Sequence, residues 1–205
     1  MNWVERLEIR SQLRTRRLTK RVFPTFEHIA PRESLRGATV LELGCGPGRG
    51  AEYALRSGAT SVLALDADPR MVRVATRRLK PWAEHARVAV GDATDTGLPD
   101  ASVDVAIELQ VLHHVVDWQA AVAELSRVLR PGGTLLFEDS TRDGLSGTWS
   151  RVVLEHPSDN RFSAEEFAAS LSQAGFAVDG IEDIVPGSWF AGVAHRTTRA
   201  EEATH

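Results

Sequence analysis

A glycine-rich turn behind an apolar run is the stretch of this sequence whose residue types most clearly suit chemistry. Residues 40–48 read Val-Leu-Glu-Leu-Gly-Cys-Gly-Pro-Gly, which is typical of a strand that leads through a tight loop into a helix. Glycine has no Cβ, so the backbone can turn sharply there and approach a ligand closely. The spacing is G-x-G-x-G, whereas a dinucleotide-binding loop has its third glycine where this chain has Arg49. The loop therefore predicts a nucleotide-type site and disfavours a nicotinamide dinucleotide.

Acidic residues accompany the predicted strands around this loop. Asp66 ends the second strand, 20 residues beyond Gly46, and Asp92 ends the third, while Glu42 lies in the first strand and Glu108 in the fourth. Open parallel sheets bind ligands at the carboxyl ends of their strands, so we expect the four carboxylates to converge on one cleft. A carboxylate at the position of Asp66 can accept hydrogen bonds from both hydroxyls of a ribose.

Three of these acids also have a purely structural interpretation. Asp66 could cap the helix that begins near Pro69, although Asp68 is better placed for that bond. Asp92 could be an ordinary turn residue, and Glu42 could accept hydrogen bonds from neighbouring backbone amides. The sequence leaves these alternatives open.

The glycine loop and the order of the acids resemble the class I S-adenosylmethionine (SAM)-dependent methyltransferases. The likeness covers residues 37–139 with specific motifs, including the run 98–118, and residues 140–195 more loosely. It implies an α/β, Rossmann-like three-layer sandwich with a seven-stranded, mostly parallel sheet that closes in a C-terminal antiparallel hairpin. The chain has no Asn-Pro-Pro-aromatic motif of the kind found in enzymes that methylate amino groups of nucleic acids or protein glutamine. Small-molecule acceptors are therefore the default expectation.

The resemblance implies SAM as the cofactor and S-adenosylhomocysteine as its product. It assigns Asp66 to the ribose hydroxyls, Asp92 to the adenine amino group and Glu42 to the amino group of SAM, directly or through water. Met71 would cover one adenine face, and Cys45 would line the site as a small side chain rather than act as a nucleophile. The predicted cofactor-binding residues are Glu42, Gly44, Cys45, Gly46, Asp66, Ala67, Met71, Gly91, Asp92, Ala93 and Glu108. No metal site is predicted, and a single cysteine excludes a multi-thiolate zinc site.

Two adjacent histidines, His113 and His114, follow the fourth strand. His114 is the candidate catalytic residue, because an imidazole can accept a proton from a hydroxyl or amine near neutral pH. The alternative is that these histidines orient the loop or cap the next helix. Glu138, Asp139 and His156 are rival pocket residues, and an exposed rim is an equal alternative for Asp139 and His156. Placement alone can supply much of the acceleration in methyl transfer, so a base is needed only for a protonated acceptor.

Alternating strand and helix patterns predict the framework that positions these residues. Apolar periodicity and turn residues predict strands over 39–43, 61–65, 87–91, 103–109, 134–138, 177–184 and 189–195. Helices are predicted over 50–57, 69–80, 118–129 and 163–174. Strict alternation in the first part indicates a parallel sheet with right-handed crossovers.

Length and composition fit a single domain, since the 205 residues are 42% hydrophobic. We expect an N-terminal helical cap over 1–36, a cofactor core over 37–139, a substrate-side loop and closing elements over 140–195, and a tail over 196–205. No apolar run approaches the roughly 20 residues of a membrane span, and no signal-type apolar segment precedes the core. We therefore expect a cytoplasmic protein without a membrane span.

The N-terminal segment is basic. Residues 1–21 hold seven Arg and Lys against two Glu, a net charge of +5, while the whole chain carries −4. The acidic remainder makes a poor platform for nucleic acid. Apolar and basic residues interleave in a helical pattern, so residues 2–26 are interpreted as a lid over the cofactor or as a permanently packed helix with a solvated basic face. Attachment to a membrane or nucleic acid is a third possibility.

The sequence thus predicts a SAM-dependent methyltransferase acting on a small molecule, with an oxygen or nitrogen acceptor favoured. The first alternative is a protein of the same fold that binds SAM without methyl transfer or for another reaction. A nicotinamide-dependent oxidoreductase and an RNA methyltransferase are weaker alternatives. The acceptor and the oligomeric state stay open.

Overall fold

Seven strands form one sheet in the computed structural model, which describes residues 13–14, 16–30, 32–144 and 161–198. The strands are β1 (Thr39–Leu43), β2 (Ser61–Asp66), β3 (Ala86–Val90), β4 (Val103–Leu109), β5 (Leu129–Ser140), β6 (Phe176–Val185) and β7 (Trp189–Arg196). Their order is β3-β2-β1-β4-β5-β7-β6. The first five are parallel, and β7 is antiparallel to both β5 and β6. The expected Rossmann-like α/β fold with a closing antiparallel hairpin is confirmed.

The four helices predicted after the N-terminal segment begin within one residue of their predicted positions, and a further helix lies within that segment. The helices of the described residues are α1 (Phe23–Ile29), α2 (Arg49–Arg56), α3 (Pro69–Leu79), α4 (Trp118–Val128) and α5 (Ala164–Gln173). The side chain of Asp68 caps α3 by accepting from Arg70 N, as the sequence predicts. A capping box of Ser163 and Glu166 starts α5. None of the helices in the described ranges is long and apolar enough to cross a membrane.

The helix before the sheet is part of the core. A π-helical turn, Leu18–Val22, leads directly into α1. Leu18, Val22 and Phe26 are at most 1% exposed and belong to the same apolar cluster as Val40 of β1. Such burial is what a permanently packed helix requires. Residues 2–12 of the predicted lid lie outside the described residues, and closure of a lid over the cofactor stays a prediction.

The strand β5 begins earlier than the sequence predicts. The preceding helix ends at Val128 and the strand starts at Leu129, so residues 130–133, Arg-Pro-Gly-Gly, lie within the strand. Its pairing with β4 shifts register across these residues and resumes at Thr134. The glycine turn is therefore a bulge inside the strand. The strand also extends to Ser140, which places Glu138 and Asp139 within it.

Candidate functional site

The glycine loop between β1 and α2 packs closely against its neighbours. Gly44 has a φ of +60°, and a Cβ there would collide with the side chain of Val111 in the loop after β4. Cys45 N donates to the carbonyl of Leu65 at the end of β2, at 2.7 Å. Cys45 is 3% exposed, and burial raises the pKa of its thiol far above the usual range. A buried neutral thiol fits a lining role and not a nucleophile.

Asp66 joins the end of β2 to the glycine loop. Its Oδ2 accepts from Gly46 N at 2.7 Å, and its Oδ1 accepts from Asp68 N at 2.8 Å. Each carboxylate oxygen has two lone pairs, so both oxygens of Asp66 can accept a further hydrogen bond. The capping role is filled by Asp68.

Glu42 is buried under the start of α2. Its Oε1 accepts from Gly50 N at 2.8 Å and its Oε2 from Ala51 N at 3.0 Å. Burial raises the pKa of Glu42 to about 7, although these two amides and nearby Arg14 lower it. The carboxylate therefore bonds to neighbouring amides, which is the structural alternative that the sequence leaves open.

The residues predicted to contact adenine lie on the loop after β3 and at the start of α3. Asp92 is exposed, and its Oδ1 accepts from Thr94 N and Thr94 Oγ1, both at 2.8 Å. These bonds lower the pKa of Asp92 and form the turn that the sequence allows. Its Oδ2 has no hydrogen bond within the described part of the chain. Met71 is half-buried in the first turn of α3.

A partly buried ion-pair network that the sequence pattern does not predict braces this loop. Glu124 on α4 accepts from Thr96 N at 2.8 Å and Thr96 Oγ1 at 2.6 Å, and it pairs with Arg127. The Arg127 guanidinium and the Thr96 donors hold the pKa of Glu124 down to about 2. The only sequence feature that points to this ion pair is the i, i+3 spacing of Glu124 and Arg127. Many solvent-exposed helices have the same spacing, so it does not predict the contact with Thr96.

Glu108, at the end of β4, is fully buried. Its Oε1 accepts from Val111 N at 2.6 Å, while its Oε2 is buried without a hydrogen-bond partner in the described residues. Burial first, and then the charge of Asp139, raises the pKa of Glu108. This acid shapes the loop that touches Gly44.

The two histidines have different surroundings. His113 is buried, its Nδ1 forms a short hydrogen bond to Asp139 Oδ1, and its backbone N donates to Asp139 Oδ2 at 3.2 Å. His114 is exposed, with its ring centre 4.0 Å from that of His113. The rim position considered for Asp139 is wrong, because this carboxylate is 0% exposed and anchors the histidine turn. His156 lies outside the described residues.

The helical residues 13–14 and 16–29, here called the N-terminal helix, reach the carboxyl ends of β4 and β5. Arg14 Nη2 donates to Leu109 O at 2.7 Å, and Arg17 Nη2 lies 3.0 Å from Glu138 Oε1. The Arg17 guanidinium also stacks 3.9 Å from the ring centre of Trp189. The arginines interleaved with apolar residues predict a basic helix, but they do not predict which arginines face the sheet.

Across the described ranges, no three His, Cys, Asp or Glu side chains are grouped as a metal site requires.

Comparison with known proteins agrees with this geometry. A family model described as a methyltransferase domain matches residues 41–137, from β1 into β5. A probable S-adenosylmethionine-dependent methyltransferase of Mycolicibacterium smegmatis is 35% identical over 158 residues, which cover 76% of this chain and 58% of that protein. The 2-methyl-6-phytyl-1,4-hydroquinone methyltransferase of Synechocystis is 32% identical over 150 residues, covering 68% of this chain and 46% of the relative. The chain spans about half the length of the curated relatives it matches.

Solved structures share the fold. The crystal structure of an S-adenosylmethionine-dependent methyltransferase from Mesorhizobium loti superposes with a TM-score of 0.71 at 19% identity, covering 84% of this chain and 96% of that one. Sequence motif, strand order and relatives thus agree. The chain belongs to the class I SAM-dependent methyltransferase family.

Proposed function

We propose that this protein transfers the methyl group of SAM to a small-molecule acceptor, at an oxygen or nitrogen atom. The observation that carries this proposal is the position of the N-terminal helix above the carboxyl ends of β4 and β5. The hydrogen bond from Arg14 to Leu109 O and the ion pair of Arg17 with Glu138 hold the helix there. A polymer would have to displace this helix to reach these strand ends, which favours a small acceptor. The hydroquinone methyltransferase relative, whose name specifies a small acceptor, supports the same size class.

The polar groups around the glycine loop fit SAM. When bound, SAM supplies an electrophilic methyl group on a sulfonium, and its ribose and adenine present hydroxyl and amino donors. Asp66 keeps lone pairs for two ribose hydroxyls, and Asp92 Oδ2 can accept from the adenine amino group. A Cβ on Gly46 would meet no atom within 4 Å, so the loop leaves open space beside these acids.

The remaining predicted residues support the cofactor in two ways. Glu42 positions the loop and the start of α2 through its two amide bonds, and its negative charge favours the ammonium of SAM. Glu108 acts in the same indirect way by holding the loop after β4. The small or apolar residues line the cofactor: Gly44, Cys45, Ala67, Met71, Gly91 and Ala93.

On the acceptor side, His114 is our candidate for the group that takes a proton from a hydroxyl or amine. Its neighbour His113 is held by Asp139, which fixes the turn that presents His114. The covering helix excludes water from this edge, which favours transfer to the acceptor over transfer to solvent.

The experiment is incubation of the purified protein with methyl-labelled SAM and each of three substrates: a cell extract freed of macromolecules, total RNA and total protein. Protein-dependent label in the small-molecule fraction is the expected result. Label found only in RNA or protein would reject the acceptor class. SAM binding without transfer to any fraction would favour the non-methylating alternative.

A further inference from the structure

Glu138 and Gln110, two polar side chains beside the candidate site, have buried side-chain atoms without a hydrogen-bond partner in the described residues. Glu138 is 0% exposed, and within the described chain neither of its oxygens accepts an aligned hydrogen bond, although Oε1 lies 3.0 Å from Arg17 Nη2. The Nε2 of Gln110 is also buried without a hydrogen-bond partner in these residues. Buried polar groups in proteins are nearly always hydrogen-bonded, so two such groups together indicate a missing partner.

The side chains of Glu138 and Gln110 both lie near the carboxyl end of β5. Glu138 and Ser140 point to the same side of β5 because strand side chains alternate. Ser140 Oγ donates to Gln110 Oε1 at 2.7 Å, and Gln110 N donates to Glu138 O at 2.7 Å. Arg17 stacks on Trp189, whose partner across the strands is Ser140. The amide of Gln110 and the carboxylate of Glu138 therefore lie in one polar cluster.

Backbone strain marks the same place. Gln110 has a φ of +65°, which non-glycine residues adopt rarely and at some energetic cost. It directly precedes Val111, the residue against which Gly44 packs. The strained residue thus connects the polar cluster to the glycine loop.

We propose that Glu138 and Gln110 form a subsite that binds a hydroxyl group of the methyl acceptor, an inference that rests on the proposed function. A hydroxyl donates to the carboxylate and accepts from the amide with the same oxygen atom. The oxygen of the Gln110 amide accepts from Ser140, which leaves Nε2 to donate to the ligand.

Other groups match this cluster less well. A carboxylate has no proton to donate. The Arg17 guanidinium is already paired with Glu138, so a second negative charge would be repelled. An ammonium has no lone pair for an amide donor. An apolar group would leave both side chains unpaired. Burial raises the pKa of Glu138 while Arg17 lowers it, and a hydroxyl can bond this acid in either protonation state.

The test measures binding of four probes on one scaffold to the complex with S-adenosylhomocysteine: benzyl alcohol, ethylbenzene, benzylamine and benzoate. Ligand-observed NMR titration of the wild type should give an affinity for benzyl alcohol about tenfold higher than for ethylbenzene, the gain expected from a hydrogen bond to a charged group. Glu138→Gln should lose most of this preference. Glu84→Gln, which changes an exposed carboxylate, should keep it.

A second variant guards against a folding defect. Gln110→Asn shortens the amide at a position whose positive φ asparagine tolerates, so the fold should be kept and the preference reduced. Calorimetric affinity for S-adenosylhomocysteine should stay unchanged in all variants. A loss of that affinity in Glu138→Gln would instead assign Glu138 to the cofactor and overturn the subsite.

The subsite is also overturned if the wild type binds none of the probes, prefers benzylamine or benzoate, or shows no preference for benzyl alcohol. It is equally overturned if Glu138→Gln keeps the preference for benzyl alcohol. Because this assay involves no methyl transfer, its outcome is separate from the proposed function. A hydroxyl preference without label transfer from SAM would keep the subsite and reject methylation. Label transfer without the preference would reject only the subsite.

Discussion

Gly46 donates its backbone N–H to Asp66 Oδ2 at 2.7 Å, so the glycine loop and the end of β2 are joined by the residue assigned to the cofactor ribose. The same carboxylate accepts from Asp68 N, at the start of α3. A ribose bound by Asp66 would therefore lie beside the glycine loop. One side chain thus fixes the glycine loop relative to the end of β2 and the start of α3.

Replacement of Asp66 should weaken cofactor binding more than it weakens the fold. Asp66→Ala removes two charge-assisted acceptors for the ribose, and we expect SAM affinity to fall by roughly 2 to 3 kcal/mol in calorimetry. The matched control is Asp68→Ala, which removes the cap of α3 and should cost about 1 kcal/mol of unfolding free energy with little change in SAM affinity. Unchanged SAM affinity in folded Asp66→Ala would reject the ribose assignment.

Asp92 should contribute to binding but little to stability. Asp92→Asn keeps the shape yet replaces an acceptor-only group with one that presents a donor, so SAM affinity should fall while the Tm of the apo protein changes little. Asp95→Asn, an exposed turn acid on the same loop, is the control and should leave affinity unchanged. If apo stability falls as much as holo stability, Asp92 is only a turn residue.

Glu42 should make stability depend on pH. Burial raises its pKa in the folded state to about 7 from an ordinary 4.5, so the folded state binds this proton more tightly than the unfolded state. The stability gained is fully present below the unfolded pKa and is lost as pH rises through the folded value, by about 3 kcal/mol. Urea unfolding at about pH 5 and about pH 8 should show this decline in the wild type and a smaller one in Glu42→Gln. Equal declines in both proteins would contradict the assignment.

Hydrogen exchange should show that two parts of the N-terminal segment respond differently to SAM. Because Leu18, Val22 and Phe26 are buried in the core, the amides of Leu18–Val22 and α1 should be protected to the same degree with and without SAM. If a lid exists, added protection on SAM binding should fall in residues 2–12. Strong cofactor-dependent protection within α1 would show that the whole helix moves.

The backbone around the proposed cofactor site can be predicted from sequence because its features are local. The G-x-G-x-G spacing and the position of Asp66 after an apolar run predict a turn and a strand end, and these are short-range features. The bond from Asp68 to Arg70 N is equally local and was predicted correctly. Local patterns of this kind specify backbone conformation directly.

The acceptor half depends on contacts between distant residues. Arg17 and Glu138 meet only because β5 lies beside β4 and the N-terminal helix packs across that edge, and no periodicity in the sequence encodes this pairing. The same holds for Asp139, whose full burial follows from the early start and late end of β5. A one-dimensional pattern does not distinguish a strand-end acid at the rim from one beneath a neighbouring turn.

Calorimetric titration of the purified protein with SAM, S-adenosylhomocysteine and NAD tests most directly whether this chain binds SAM as its cofactor. We predict that SAM and S-adenosylhomocysteine bind at one site per chain, that Asp66→Ala weakens both, and that NAD does not bind. Saturable binding of NAD, or no binding of either SAM or S-adenosylhomocysteine by the folded protein, would contradict this prediction.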